Sequence, residues 1–281
     1  MDGGLVSRQF YFTINLEEIY YFRNEKIPYL YGLWCFANTY SIYNRKVENV
    51  GKVSYVAGVD GKGKAASLDG SAYLNLGTSN KLTPEILRLS FLLKPNADIS
   101  GEQIIAWSKG KYTGDGWYLN TNENAPLGLS VGPGSSQPYF IQVNGTAKDF
   151  FPTGEWTHVV ATYNSKTKKA MFYRNGIPQK ATVKYPLSDT ASGVIGTNNQ
   201  VKVIGCNGSE HGYGGKLNAA LDAYQLYDTE LTLEEVISAY EESSRRTFDK
   251  QEVAQSDVNA LEIQEVAENG MTLPGEGESG S

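Results

Sequence analysis

The chain has 281 residues, of which 40% are hydrophobic, 12% aromatic and only 20% charged. That balance excludes a disordered chain, which would be charge-rich and aromatic-poor, and no apolar run approaches the roughly 18 residues that a membrane-spanning helix needs. The formal charge of −6 is concentrated at one end: Thr247 to Ser281 holds eight acids and one base, net −7, which leaves the preceding 246 residues at +1. A near-neutral body lacks the broad positive field of a nucleic-acid binder.

In chain order, Gln9 to Ile14 reads as a strand, and Asn15-Leu16-Glu17-Glu18 as an N-cap with an acidic first turn. Pro28 closes this opening stretch, so residues 1–28 are read as an N-terminal extension. No basic segment followed by an apolar one marks a secretory signal, which fits either a route without that signal or an excised or processed module. From Tyr29 onward short strands alternate with turn residues. Leu33 to Phe36, Ala65 to Leu68, Tyr73 to Leu76 and Arg88 to Lys94 come first. Gln103 to Ser108 and Gly116 to Thr121 then flank a glycine-rich loop. Leu127 to Val131 and Tyr139 to Val143 follow, separated by Gly132-Pro133-Gly134.

The clearest hairpin runs out along Thr157 to Tyr163 and returns along Lys169 to Tyr173, where Asn175-Gly176 makes a second tight turn. Val201 to Cys206 and Leu221 to Tyr227 are the last strands. One helix follows, capped by Thr232, with Glu234 and Glu235 at the positive end of its dipole and Leu233, Val236, Ile237 and Tyr240 on one apolar face. Val253 to Ala267 is compatible with a short helix, and the segment from Leu273 reads as linker, making 247–281 an acidic flexible tail that points to a neighbouring module. About a dozen short strands and one short C-terminal helix predict an all-β, two-sheet antiparallel sandwich of the jelly-roll kind. Cys35 and Cys206 are too few for a disulfide framework, and whether they pair is left open by the sequence.

Three segments together carry a family resemblance. Gly32 to Phe36 with Gly61 to Leu74 is similar to the opening strands. Glu155-Trp156-Thr157-His158-Val159-Val160-Ala161-Thr162-Tyr163 with Met171 to Gly176 is similar to the tryptophan hairpin. Leu221-Asp222-Ala223-Tyr224-Gln225-Leu226-Tyr227-Asp228 with Leu231 to Val236 is similar to the closing strand and helix. Together they resemble the laminin-G-like, concanavalin A-like jelly-roll modules of the lectin/glucanase group. The resemblance covers residues 29–246 and implies a glycan-, protein- or lipid-binding module, or a spacer in a larger enzyme, adhesin or virion protein. It also implies a structural Ca²⁺ held by Asp69 and Asp222, with Asn38 adding an amide oxygen where relatives often carry an acid and carbonyls and waters completing the shell.

Sugar binding calls for flat aromatic surfaces ringed by amides and carboxylates. The stretch from Ile104 to Val143 supplies Trp107, Tyr112, Asp115, Trp117, Asn120 and Tyr139, and the loop Gly205 to Gly215 supplies Asn207, Glu210, His211 and Tyr213. Strand tryptophans are more often core residues than ligands, so Tyr112 and Tyr213, set among glycines, are the better candidates for exposure. Catalysis has little support. No strand carries Glu-x-Asp-x-x-Glu, and a nucleophilic triad would have to draw on His158 or His211. Asn144-Gly145-Thr146 and Asn207-Gly208-Ser209 fit the glycosylation rule, a short pattern that arises by chance. The sequence therefore predicts a non-catalytic recognition module for carbohydrate, extracellular or at a cell surface, with a glycan or surface protein as partner. The alternatives are a phage or virion structural or attachment protein, with neighbouring virion subunits as partners, and a module of a glycoside hydrolase.

Overall fold

The computed structural model describes residues 30–34, 47–59, 61, 64–110, 114–133, 138–228 and 233–244. The expected strand at 9–14, cap at 232, helix at 253–267, N-terminal extension, acidic tail, and the residues Cys35, Asn38 and Tyr112 lie outside these. The strands in chain order are β1 (Leu30–Trp34), β2 (Glu48–Val50), β3 (Ser54–Ala57), β4 (Lys64–Asp69), β5 (Tyr73–Gly77), β6 (Ile86–Pro95), β7 (Gln103–Trp107) and β8 (Gly116–Asn122). They continue as β9 (Ala125–Gly132), β10 (Tyr139–Val143), β11 (Thr157–Asn164), β12 (Lys169–Arg174), β13 (Ile177–Pro178), β14 (Ala181–Tyr185), β15 (Lys202–Ile204) and β16 (Asn218–Tyr227). A single helical turn, α1 (Ala147–Phe150), precedes β11, and α2 (Leu233–Ser244) follows β16.

All strand pairs are antiparallel, and among the described residues they make two sheets of eight strands. The first runs β13-β12-β11-β6-β16-β4-β3, with β1 and β4 end to end along one edge of β16. The second runs β14-β10-β9-β8-β7-β15-β5-β2. The neighbours jump in sequence, as β6 beside β16 and β7 beside β15 show, so the two halves of the chain interleave as in a jelly roll.

Side chains alternate across each strand. On β6, Leu87, Leu89, Phe91 and Leu93 enter the core, and Val159, Ala161 and Tyr163 do the same on β11. Leu127, Leu129 and Val131 on β9 and Leu119 on β8 meet them from the second sheet. The Tyr163 hydroxyl donates 2.7 Å to the Gly193 carbonyl, and burial pushes its ionisation up to about 12. α2 covers the outer face of the first sheet. Its Val236 packs on Val160 and Tyr173, and its Tyr240 ring lies 6.0 Å from His158. The Asn175-Gly176 turn between β12 and β13 takes positive φ at both residues, 50° and 79°, as the sequence predicts.

The outer face of the second sheet is left to aromatic and polar side chains.

Candidate functional site

On β7 to β10 the residues out of phase with the core point away from it. Pairing aligns them into two rows across the strands. In the first, Val203, Trp107, Tyr118, Ser130, Phe140 and Tyr185 stand opposite one another in turn on β15, β7, β8, β9, β10 and β14. Trp107 stacks on Tyr118 at 5.0 Å, Tyr118 meets Phe140 at 6.2 Å, and Phe140 stacks on Tyr185 at 6.2 Å with 26° between the planes. Exposure of the rings rises along the row, from 1% at Trp107 and 8% at Tyr118 to 53% at Tyr185 on the edge strand. In the second row Ile104, Asn120, Gly128, Gln142 and Thr182 are aligned.

The two rows touch over Gly128. A Cβ there would lie 2.3 Å from Asn120 Oδ1 and 3.1 Å from the Phe140 ring, so glycine is what lets the amide and the ring sit low on the sheet. Asn120 Nδ2 donates 2.7 Å to Glu102 Oε1. Its Oδ1 and the nearby Ser130 Oγ are both buried without a hydrogen-bond partner. Buried polar atoms of this kind usually find one.

The loop from Gly205 to Leu217 caps the β7 end of the face. It is pinned at both ends, Gly205 N–H donating to the Ile105 carbonyl and Leu217 N–H to the Gly205 carbonyl, each at 2.9 Å. Inside it Asn207 N–H donates 3.0 Å to Gly214 O. Tyr213 adopts φ 55° and lays its ring on Tyr73 at 4.9 Å, nearly parallel, with Lys216 Nζ 5.6 Å above Tyr73. Burial and the neighbouring Tyr213 raise the Tyr73 ionisation. Trp107 Nε1 donates to the Lys109 carbonyl, and His211 meets the indole edge-on at 5.2 Å. Cys206 is a free buried thiol on this side of the sheet, and burial pushes it up to about 12, far from a reactive thiolate.

The turn joining β7 to β8 is held from below. Asn198 Nδ2 donates to the carbonyls of Ser108 and Asp115 at 2.8 and 2.9 Å. Lys202 Nζ in turn donates to Asn198 O, Asn198 Oδ1 and Gln200 O. Burial lowers Lys202 to about 8. Lys109, fully buried, lies with Nζ 5.5 Å from the Tyr118 ring, and burial outweighs Asp115 to bring it down to about 7.

Of the expected sugar-binding residues, Asn120 and Trp107 lie on this face, and Asn207 and Tyr213 lie on the loop that caps it. Asp115 sits at the head of β8, close against Gly196 and Lys109. Trp117 and Tyr139 do not face it: both belong to the core, at 3% and 5% exposure, and Trp117 Nε1 donates 2.8 Å to the Leu82 carbonyl. Tyr73, Tyr118, Phe140 and Tyr185 are on the face in their place. A signal for them existed. Trp117 is in phase with Leu119, and Tyr139 with Ile141 and Val143, which assigns those rings to the core and Tyr118 and Phe140 to the other side.

The two carboxylates expected at a calcium site are not brought together. Asp69 pairs with Asn218, and Asp222 lies four positions further along β16, about 13 Å away at the rise of a strand. Asp69 is exposed and accepts from Ser71 N–H and Oγ at 2.9 and 2.6 Å, an Asx-turn that lowers its ionisation. Asp222 accepts from Val59 N–H through Oδ2 and from Ala223 N–H through Oδ1, at 3.0 and 2.8 Å, and so holds the bulge at Ala223, whose φ is 46°. Among the described residues no three His, Cys, Asp or Glu side chains gather in a metal-holding group. His158 is buried beneath α2, with Nε2 3.1 Å from Ser90 Oγ.

The family model described as the concanavalin A-like lectin/glucanases superfamily matches residues 68–237. No curated protein matches the chain. Among solved structures it is similar to domain 4 of AbnA, a GH43 extracellular arabinanase from Geobacillus stearothermophilus, in complex with arabinotriose: TM-score 0.51, 17% identity, 74% of this chain and 97% of that one. It is also similar to the binding domain of Paraclostridial Mosquitocidal Protein 1, at TM-score 0.56 and 15% identity over 75% of this chain and 52% of that one. The binding domain of botulinum neurotoxin DC in complex with SialylT gives TM-score 0.59 and 14% identity over 77% and 52%. The chain thus spans about half the length of these toxin binding domains. At such identities the likeness is one of fold.

Proposed function

The chain belongs to the concanavalin A-like lectin/glucanase superfamily, and we propose that it is a non-catalytic carbohydrate-recognition module whose ligand surface is the outer face of the second sheet. The observation that carries this reading is the contiguous row of rings Trp107, Tyr118, Phe140 and Tyr185, flanked by the amides of Asn120 and Gln142 and by the Tyr73–Tyr213 pair. Rings take the apolar faces of sugars, and amides and carboxylates take their hydroxyls. These groups suit holding a glycan rather than cleaving one, which needs two carboxyl groups flanking the scissile bond. The neighbours support the reading, since one was solved with arabinotriose and another with SialylT. A module of this kind works at an extracellular or cell surface, with a glycan or a glycosylated surface protein as partner. No helix among the described residues is long and apolar enough to cross a membrane.

The test is a glycan-array and insoluble-polysaccharide screen of the full chain beside Tyr213→Ala. Binding that the substitution weakens supports the reading and its site. No binding to any sampled glycan overturns it for those glycans.

A further inference from the structure

Resting on the carbohydrate reading, we propose that the strip from Tyr118 to Tyr185 takes an internal stretch of a neutral, linear glycan. The chain lies across the strands, its sugar faces on Phe140 and Tyr185 and its hydroxyls on Asn120 and Gln142. Three features of the strip fix these properties.

The first is its length and openness. Tyr118 and Tyr185 stand three strand intervals apart, about 14 Å, more than one sugar ring spans. The strip ends on the edge strand β14, where Tyr185 is 53% exposed, so a polymer can run on past the protein. Phe140 and Tyr185 stand opposite each other on neighbouring strands at the open edge of the sheet, not in a pocket closed around a chain end.

The second is the unpartnered polar atoms. Asn120, at 3% exposure, has its Nδ2 committed to Glu102, while Oδ1 has no partner and lies over Gly128 beside the Phe140 ring. Ser130 Oγ is in the same state on the same face. What remains at Asn120 is an acceptor, and a sugar hydroxyl is a donor that arrives together with an apolar face for the adjacent ring.

The third is the charge beside the polar row. The charged group hydrogen-bonded to Asn120 is the Glu102 carboxylate. The buried cations of this region lie elsewhere, Lys109 on the other side of the aromatic row against Gly132 and Lys202 against Asn198 and Gln200. A sialic or uronic acid placed on the polar row would bring its carboxylate toward Glu102 and an unpaired carbonyl, a repulsive arrangement that discriminates against acidic sugars.

The experiment is calorimetric titration of the full chain with neutral xylo-, cello-, malto- and arabino-oligosaccharides of increasing length, with sialyllactose and oligogalacturonate as acidic probes. Tyr185→Ala and Gln142→Ala are compared with Tyr213→Ala, and unchanged melting confirms that the exposed substitutions leave the fold intact. The expected result is affinity for one neutral series that grows with chain length, weakened about tenfold or more by Tyr185→Ala, the scale of one lost aromatic contact, with no binding of the acidic probes. Neutral glycans that bind equally well to Tyr185→Ala and Gln142→Ala, or a preference for the acidic probes, overturn the inference while carbohydrate recognition stands. Absence of binding to every probe overturns both.

Discussion

Replacing Trp117 with alanine decides whether that ring serves the core or a ligand. Its side chain is 3% exposed, packs in the main core and donates 2.8 Å to the Leu82 carbonyl. Emptying a site of this size costs about 3–5 kcal/mol through lost transfer energy and the residual cavity. The abandoned Leu82 carbonyl falls within that range, since leaving a buried acceptor unpaired costs roughly 1–3 kcal/mol. For a domain this long the loss lowers Tm by roughly 6–20 °C. Trp117→Phe keeps most of the volume and loses the donor, so about 1–3 kcal/mol is expected. Urea unfolding followed by circular dichroism measures both, with the midpoint moving and the slope staying constant. A Trp117→Ala protein within about 1 kcal/mol of the parent, yet unable to bind a glycan that the parent binds, would refute the core assignment and return Trp117 to the ligand surface.

His158 should make the fold acid-sensitive. Burial lowers it to about 4 from its ordinary 6.5, so below pH 6.5 the unfolded chain takes up a proton that the folded chain refuses. Stability from this group is present above about 6.5 and is lost as pH falls toward 4, by about 3 kcal/mol in all. His158→Gln should flatten that part of a stability–pH curve, and an unchanged slope would show the burial to be overstated. Gly176→Ala forces a Cβ into φ 79° and within 3.3 Å of Tyr240, so a loss of about 1–2 kcal/mol is expected in thermal melts. With Asp69 and Asp222 apart, Ca²⁺ added to EDTA-treated protein should leave Tm unchanged. A saturable rise abolished by either Asp→Ala would establish a calcium site that includes that carboxylate.

Much of the sandwich was legible because period-two apolar runs such as Leu127-Leu129-Val131 and the Asn175-Gly176 turn carry their structure locally. The short strands β2, β3 and β14 were not, since many of their residues are exposed and show no apolar alternation, and β14 in addition joins β10, some 40 residues earlier. The turn α1 is too brief to show a helical period. At the candidate site the residues named from the stretch Ile104 to Val143 fall on both sides of the sheet. Trp117-Tyr118 and Tyr139-Phe140 each put one ring in and one out, and a one-residue error of phase exchanges core for surface. The convergence of Tyr73 with Tyr213, and of Tyr185 with Phe140, depends on strand order, which no local pattern encodes. The distance between Asp69 and Asp222 depends likewise on the register of β4 against β16.

The most direct test of the central claim is a nuclear magnetic resonance titration of the labelled full chain with the tightest neutral glycan found. The account predicts shifts confined to Tyr73 on β5, to β7 to β10 and β14, and to the Gly205–Leu217 loop. Shifts clustered around Asp69, Asp222 and β3, or on the α2 side of the first sheet, would contradict it.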